Sequence, residues 1–345
     1  MKKHLFISVL SIMTLATSLT STFGQTAVKN SAPRPLTCTE SPLNPIAGKP
    51  YDYSATFNPD GGKVFWYATK STTFMTGSTR SATIETAGAA GSTVASATDY
   101  ASELTASGPS KTNITWSSDG LAALGANPLF VAVEYTAPAS GCANNMKVYK
   151  ITPKNAFTID IRSMTSDGSS SAAYDVKTDQ CAALVKSATY DGTKMVMDYG
   201  VQTLYYEVVA ANFTGSFTPS YQISGLQPGQ TAEIFWGYTA AGATNTLGAI
   251  TNNTPVTGAV ASTALTETKD GASIFVKVVI QNATFENTAG ETIKLAVDAV
   301  NSAGQKDVVE SDCSENLAFA DFAEQDIKAR PAISPVSPAV FIPEN

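Results

Sequence analysis

The chain reads as all-β: two tandem β-sandwiches with long loops and an extended C-terminal tail. Three observations predict this. Short runs rich in Thr, Val, Tyr and Phe alternate in polarity and are punctuated by Gly and Asn/Asp. A segment carrying a tryptophan occurs twice, 170 residues apart. A length of 345 residues with 43% apolar content suits two packed cores and is too apolar for disorder.

Taken in order, the first 24 residues have the layout of a secretory signal. Lys2 and Lys3 precede an apolar run from Leu5 to Leu19, and the small residues Thr22 and Gly24 precede a cut before Gln25. The apolar run is shorter than the ~20 residues needed to span a bilayer, and no later stretch spans either. The expectation is a secreted or outer-surface protein, with the periplasm as the alternative compartment. The cut removes two lysines and no acid, which leaves 20 Lys and Arg against 29 Asp and Glu and a net charge of −9. So acidic a chain disfavours nucleic acid and anionic membrane surfaces as partners.

The expected organisation is a linker over 25–37, one sandwich over 38–154, a second over 155–322, and a Pro-rich tail over 323–345. Tyr51–Thr69 aligns without a gap on Tyr221–Thr239, matching Val64-Phe65-Trp66 to Ile234-Phe235-Trp236. Two weaker matches follow in the same order, Val131–Thr136 with Leu295–Val300 and Cys142–Met146 with Cys313–Leu317. We read them as two diverged copies of one unit. In Lys63–Thr69, Val64, Trp66 and Ala68 share one face and Phe65 and Tyr67 the other, the pattern of a strand covered on both sides. Phe130–Tyr135, Met146–Ile151, Phe157–Ile161, Thr203–Ala210, Ser273–Gln281 and Thr292–Val300 also read as strands. Asp-Gly pairs at Asp119, Asp167, Asp191 and Asp270, and Pro59-Asp-Gly-Gly, supply turns. Ser71–Ser110 and Ala240–Thr268 read as long loops or weak edge strands. Four prolines bar a helix in Ala329–Asn345, yet Ile333, Val336, Val340 and Ile342 give it an apolar character suited to strand addition.

Cys38, Cys142, Cys181 and Cys313 allow three pairings. The repeat favours Cys38–Cys142 with Cys181–Cys313; Cys142–Cys181 is the rival. No C-x-x-C pattern supports a metal.

The sole histidine, His4, lies in the leader, so no imidazole serves catalysis or metal ligation in the exported chain. No nucleophile elbow, phosphate loop or calcium-loop pattern occurs, and Glu134, Asp160, Glu207 and Asp298 read as isolated acids. The expectation is a non-enzymatic chain with no catalytic residue, metal site or cofactor, structural calcium on turn aspartates remaining open. Trp116, Tyr205 and Tyr206 are candidate ligand contacts through ring stacking, against a core role for Trp116. The carboxylate-hydrolase reading ranks last.

Leu226-Gln-Pro-Gly-Gln-Thr-Ala-Glu-Ile234 resembles the corner motif of fibronectin type III domains, with Ala232 in the place of the corner tyrosine. Leu295–Gly304 resembles their last hairpin, and Trp66 and Trp236 resemble the buried tryptophan of immunoglobulin-like strands. The resemblance implies immunoglobulin-like or PKD-like sandwiches. The layout of leader, β-domains and Pro-rich tail is similar to that of secreted surface proteins of Gram-negative bacteria. It implies an adhesive or structural role, with protein or glycan partners at the cell surface or self-assembly; glycan binding is the alternative function.

Overall fold

The computed structural model describes residues 32–46, 49–77, 79–82, 95–97, 111–116, 128–138, 144–213, 215–262 and 271–333. The leader, Cys142, Asp119, Asp270, most of Ser71–Ser110 and residues 334–345 lie outside this set. The described residues form strands and turns with no helix, so none of them is in a helix long and apolar enough to cross a membrane.

The first eight strands are β1 (Pro50–Ser54), β2 (Lys63–Thr69), β3 (Met75–Thr76), β4 (Thr79–Arg80), β5 (Ala95–Ala97), β6 (Lys111–Trp116), β7 (Leu129–Thr136) and β8 (Asn144–Ile151). β1-β6-β5 is one sheet and β2-β7-β8 another. They face each other across a core that includes Tyr51, Tyr53, Trp66, Ile114, Trp116 and Val131. β2 is covered on both faces, as its alternation predicts. Val64, Trp66 and Ala68 enter this core, while Phe65 and Tyr67 pack outside it with Ala82 and Ala132. Arg80 lies over the Phe65 ring at 4.0 Å and forms a two-pronged pair with Glu134 at 2.6 and 2.7 Å.

The remaining strands are β9 (Thr158–Ser163), β10 (Thr178–Cys181), β11 (Ser187–Tyr190), β12 (Met195–Asp198), β13 (Val201–Ala211), β14 (Ser216–Ser224), β15 (Thr231–Gly237), β16 (Asn245–Ile250), β17 (Val256–Thr257), β18 (Ala261–Ser262), β19 (Ala272–Gln281), β20 (Glu291–Asn301) and β21 (Asp321–Lys328). Here β16-β15-β19-β13-β9 faces β10-β21-β20-β14-β17. The larger core between them holds Phe157, Tyr206, Phe213, Tyr221, Ile234 and Leu295. β11 and β12 form a separate hairpin whose turn uses Asp191-Gly192. The Asp191 carboxylate accepts from the N–H groups of Thr193 and Lys194, and Gly192 supplies φ = 101°.

The expected duplication is local. In each sheet pair a strand, an arch and a second strand cross between the layers: β1 to β2, and β14 to β15. Beyond that the order differs. β7 lies beside β2, whereas Leu295–Val300, its expected counterpart, lies in β20 beside β14, in the opposite layer. The partner of β1 (β6) precedes the partner of β2 (β7), but the partner of β15 (β19) precedes that of β14 (β20). The two tryptophans diverge as well. Trp66 is fully buried, whereas Trp236 is half-buried and meets Tyr238 edge-on at 5.3 Å.

Two boundaries also differ from expectation. Residues 323–328, expected in the tail, belong to β21, where Ala323, Gln325 and Ile327 are buried. The end of the expected linker is fastened to the second pair of sheets. Arg34 bonds Asp160 at 2.6 Å and Asp175 at 2.8 and 2.9 Å, and the backbone N–H groups of Thr37 and Cys38 both donate to Glu310 O.

The disulfide is Cys38–Cys313, with Cα atoms 5.7 Å apart, and not Cys38–Cys142 with Cys181–Cys313. The bonds to Glu310 bring Cys38 onto the turn that carries Cys313. Among the described residues Cys181 is exposed and free, Cys142 of the rival pairing lying outside them. It pairs with Lys328 at one end of β21, while Asp321 and the Cys313 turn lie at the other. The eight residues of β21 span about 27 Å, far beyond the ~7 Å a disulfide allows between Cα atoms.

Candidate functional site

Trp116, Tyr205 and Tyr206 do not converge. Trp116 lies in the first core, fully buried, its indole N–H donating to the Tyr53 hydroxyl at 3.2 Å. Tyr206 lies in the second core, also fully buried, where burial pushes its phenol far above the ordinary range. Tyr205 is next along the same strand and so points to the opposite face. It sits half-buried beneath Gly168, where an added Cβ would come within 3.1 Å of its ring.

The described surface offers a different site. At the end of the first sheet pair, the β1–β2 arch (residues 55–62) and the strands β7 and β8 enclose a groove of about 490 Å³. Phe57, Pro59, Val133, Tyr135, Met146 and Lys147 contribute to its lining. Phe57 stacks on Tyr135 at 4.8 Å, and the Tyr135 hydroxyl donates to Pro59 O, so the arch is held against β7. Gly62 is required at the base of the arch: a Cβ there would lie 2.3 Å from Thr136 O and 2.5 Å from the Tyr135 ring.

Among the described residues, β8 is a terminal strand of its sheet and β1 of the facing one. Both therefore present backbone donors and acceptors outward. Tyr149 of β8 crosses the seam to donate to Ser54 O at 3.4 Å. β8 carries Lys147 and Lys150 on its exposed positions, and Val148 is 37% exposed. Lysines on an apolar strand are a sequence sign of an edge. The turn residues Pro59-Asp-Gly-Gly and the strands beside them were legible, but their meeting around Phe57 was not, because the contact joins distant segments.

A second feature lies where the sheet pairs meet. Asp160, Asp307, Glu310 and Asp321 gather there with Arg34. Burial, reinforced by Glu310 and only partly offset by Arg34, raises Asp160 to about 7. Burial, with Asp160, Glu310 and Asp307 adding to it, raises Asp321 to about 8. Burial and Asp298 raise Asp307 to about 7. Asn316 Nδ2 donates to Asp321 at 2.6 Å. Among the described residues no group of three His, Cys, Asp or Glu side chains is arranged to hold a metal ion.

No protein-family model and no curated protein matches the chain. Solved structures give distant likenesses. The N-terminal domain of PorA matches 50% of this chain and 98% of its own, at 9% identity and TM-score 0.24. CfaE, the adhesive subunit of the CFA/I fimbria of enterotoxigenic Escherichia coli, matches 89% and 85%, at 7% identity and TM-score 0.28. The CupB6 tip adhesin from Pseudomonas aeruginosa matches 88% and 99%, at 6% identity and TM-score 0.27. At these values no function passes from them to this chain.

Proposed function

We propose that this is an exported, non-enzymatic surface protein with a structural or adhesive role, whose first sheet pair is an immunoglobulin-like sandwich. The order β1-β6-β5 opposite β2-β7-β8 supports the fold reading: it is the B-E-D and C-F-G arrangement of such sandwiches, with no described strand in the A position beside β1. The second sheet pair is a larger sandwich of different order.

The observation that carries the function is the end groove: a recess in which Phe57, Tyr135 and Met146 sit beside Asn58, Asn144 and Asn145, flanked by an open strand edge on a stapled β scaffold. Such an edge binds extended chain through main-chain hydrogen bonds and alternate side-chain pockets. The acidic balance of the chain favours a protein partner over nucleic acid.

The test uses cells that make the protein. A membrane-impermeant label on intact cells should mark it, and mass spectrometry should find a mature chain starting at Gln25. Deleting the gene should weaken attachment of the cells to one another or to a surface, and the wild-type gene should restore it while a Met146→Asp gene does not. Retention inside the cell, or attachment unaffected by the deletion, would refute the proposal.

A further inference from the structure

The groove and Arg330, near the end of the described chain, both lie away from the junction, on different sheet pairs. β8 runs from the groove at Asn144–Lys147 toward the junction, where Thr152 N donates to Leu43 O and Asn155 Nδ2 to Lys306 O. β21 leaves the junction, running from Asp321 beside the junction carboxylates to Lys328. Beyond it Arg330 is anchored to Tyr199 O and Asn287 O, at the end of the second sheet pair away from the junction. Ile333 is 84% exposed as the chain leaves.

We infer that the segment Ala339–Ile342 of one molecule adds as a strand along β8 of a second molecule, with Val340 and Ile342 entering the groove beside Tyr135 and Met146. This deepens the proposed function by naming the occupant of the same site. Four observations support it. Ala339-Val-Phe-Ile342 is a proline-free apolar run between Pro338 and Pro343, so each of its residues has the N–H a ladder needs. Val340 and Ile342 are two apart and share a face of a strand. Glu344 follows them, and Lys147 and Lys150 stand on the exposed positions of β8.

Reach is the fourth, and it selects a second copy over the molecule's own groove. From Lys328 to Ala339 is 11 residues, at most about 40 Å when fully extended. A tail retracing β21 and then β8, eight residues each, would need about 54 Å of extended chain. A neighbouring molecule carries no such limit. A groove on one sheet pair and its occupant beyond the other make a head-to-tail contact, which repeats from molecule to molecule.

The experiment uses the purified full mature chain. Light scattering and sedimentation are measured across a concentration series for the wild type, for Ile342→Asp, for Val340→Asp and for Met146→Asp. A photo-crosslinking residue at position 341, in a mixture of isotopically light and heavy chains, reports which segments meet. The expected result is concentration-dependent association of the wild type, weakened about tenfold or more by each substitution, with light–heavy crosslinks from 341 to residues 144–148. The two tail substitutions lie outside the described strands and keep the test independent of any folding defect in Met146→Asp. A wild type that stays monomeric throughout, association indifferent to Val340→Asp and Ile342→Asp, or crosslinks confined to single chains would overturn the inference. A protein that remains monomeric yet supports attachment on cells would leave the adhesive reading standing with another occupant of the groove.

Discussion

Ala156 and Phe157 are adjacent in the chain and buried in different cores. No spacer separates the two sheet pairs at this crossing, and Val308 N donates to Phe157 O, which holds the exit strand in place. The entry is held too, by Cys38–Cys313 and the paired bonds to Glu310. The first sheet pair is thus attached at both ends of its chain segment.

The double attachment makes a specific prediction. A Gly-Ser-Gly insertion between Ala156 and Phe157 should change the small-angle scattering profile little while Cys38–Cys313 is intact. The same insertion combined with Cys38→Ser should broaden the distribution of interatomic distances. Broadening from the insertion alone would show that the entry connection does not hold the two sheet pairs together.

The disulfide closes a sequence separation of 275 residues. Cys38→Ser or Cys313→Ser should lower unfolding free energy by about 2–5 kcal/mol in a urea titration. Reducing agent should destabilise the wild type and leave either variant unchanged, while Cys181→Ser should have no such effect.

The junction carboxylates give the stability a pH dependence. Asp160, Asp307 and Asp321 are raised in the folded chain to about 7, 7 and 8 from an ordinary 3.8. Between these limits the folded state holds protons that the unfolded state has released. Their contribution is fully present below about pH 4 and is lost as pH rises to about 8, at no more than ~1.4 kcal/mol per pH unit for each group. Thermal melts from pH 5 to 9 should therefore show stability falling toward pH 8 and levelling above it, with a shallower slope in Asp321→Asn. A slope of opposite sign would contradict this account of the junction.

On the second sheet pair, Glu207 is fully buried and accepts from Arg162 at 2.7 Å, Ser171 at 2.5 Å and Ser273 at 2.6 Å. Glu207→Ala should cost about 3–5 kcal/mol, because it removes the buried carboxylate that Arg162, Ser171 and Ser273 all bond. A urea midpoint unchanged from wild type would disprove that.

Trp116→Ala should also act through stability, by about 3–5 kcal/mol for a fully buried large ring. Loss of binding in this variant with an unchanged melting temperature would point instead to the ligand-contact role.

Sequence reading succeeded where the signal is local. Lys63–Thr69 displays its two covered faces in five consecutive apolar residues, and Thr203–Ala210 and Ser273–Gln281 are rich in β-branched and aromatic residues. β21 was hidden because its sequence, Asp-Phe-Ala-Glu-Gln-Asp-Ile-Lys, looks soluble. Its central inward residue is Gln325, buried because it bonds Gln180 Nε2 at 2.6 Å and Tyr205 O at 2.7 Å. Nothing within eight residues reports partners 120 or more positions away. The same limit explains the cysteine pairing and why the repeat is matched only over one strand, arch and strand. Short motifs recur because a strand, an arch and a strand make one physical unit, whereas which strand comes to lie beside which is decided by the whole chain. The groove was illegible for that reason too: Phe57 and Tyr135 meet only once β2 and β7 have paired.

Mechanical load offers a last reading of the clamp at Cys38. Traction applied between Ala32 and Ile333 enters the second sheet pair at once, through the covalent link to Cys313 and the Arg34 contacts, and leaves through β21. Residues 39–154 hang from that path as a side branch and bear none of the tension. A molecule tethered at both termini would keep its end groove undeformed under shear until the Cys38–Cys313 bond was reduced.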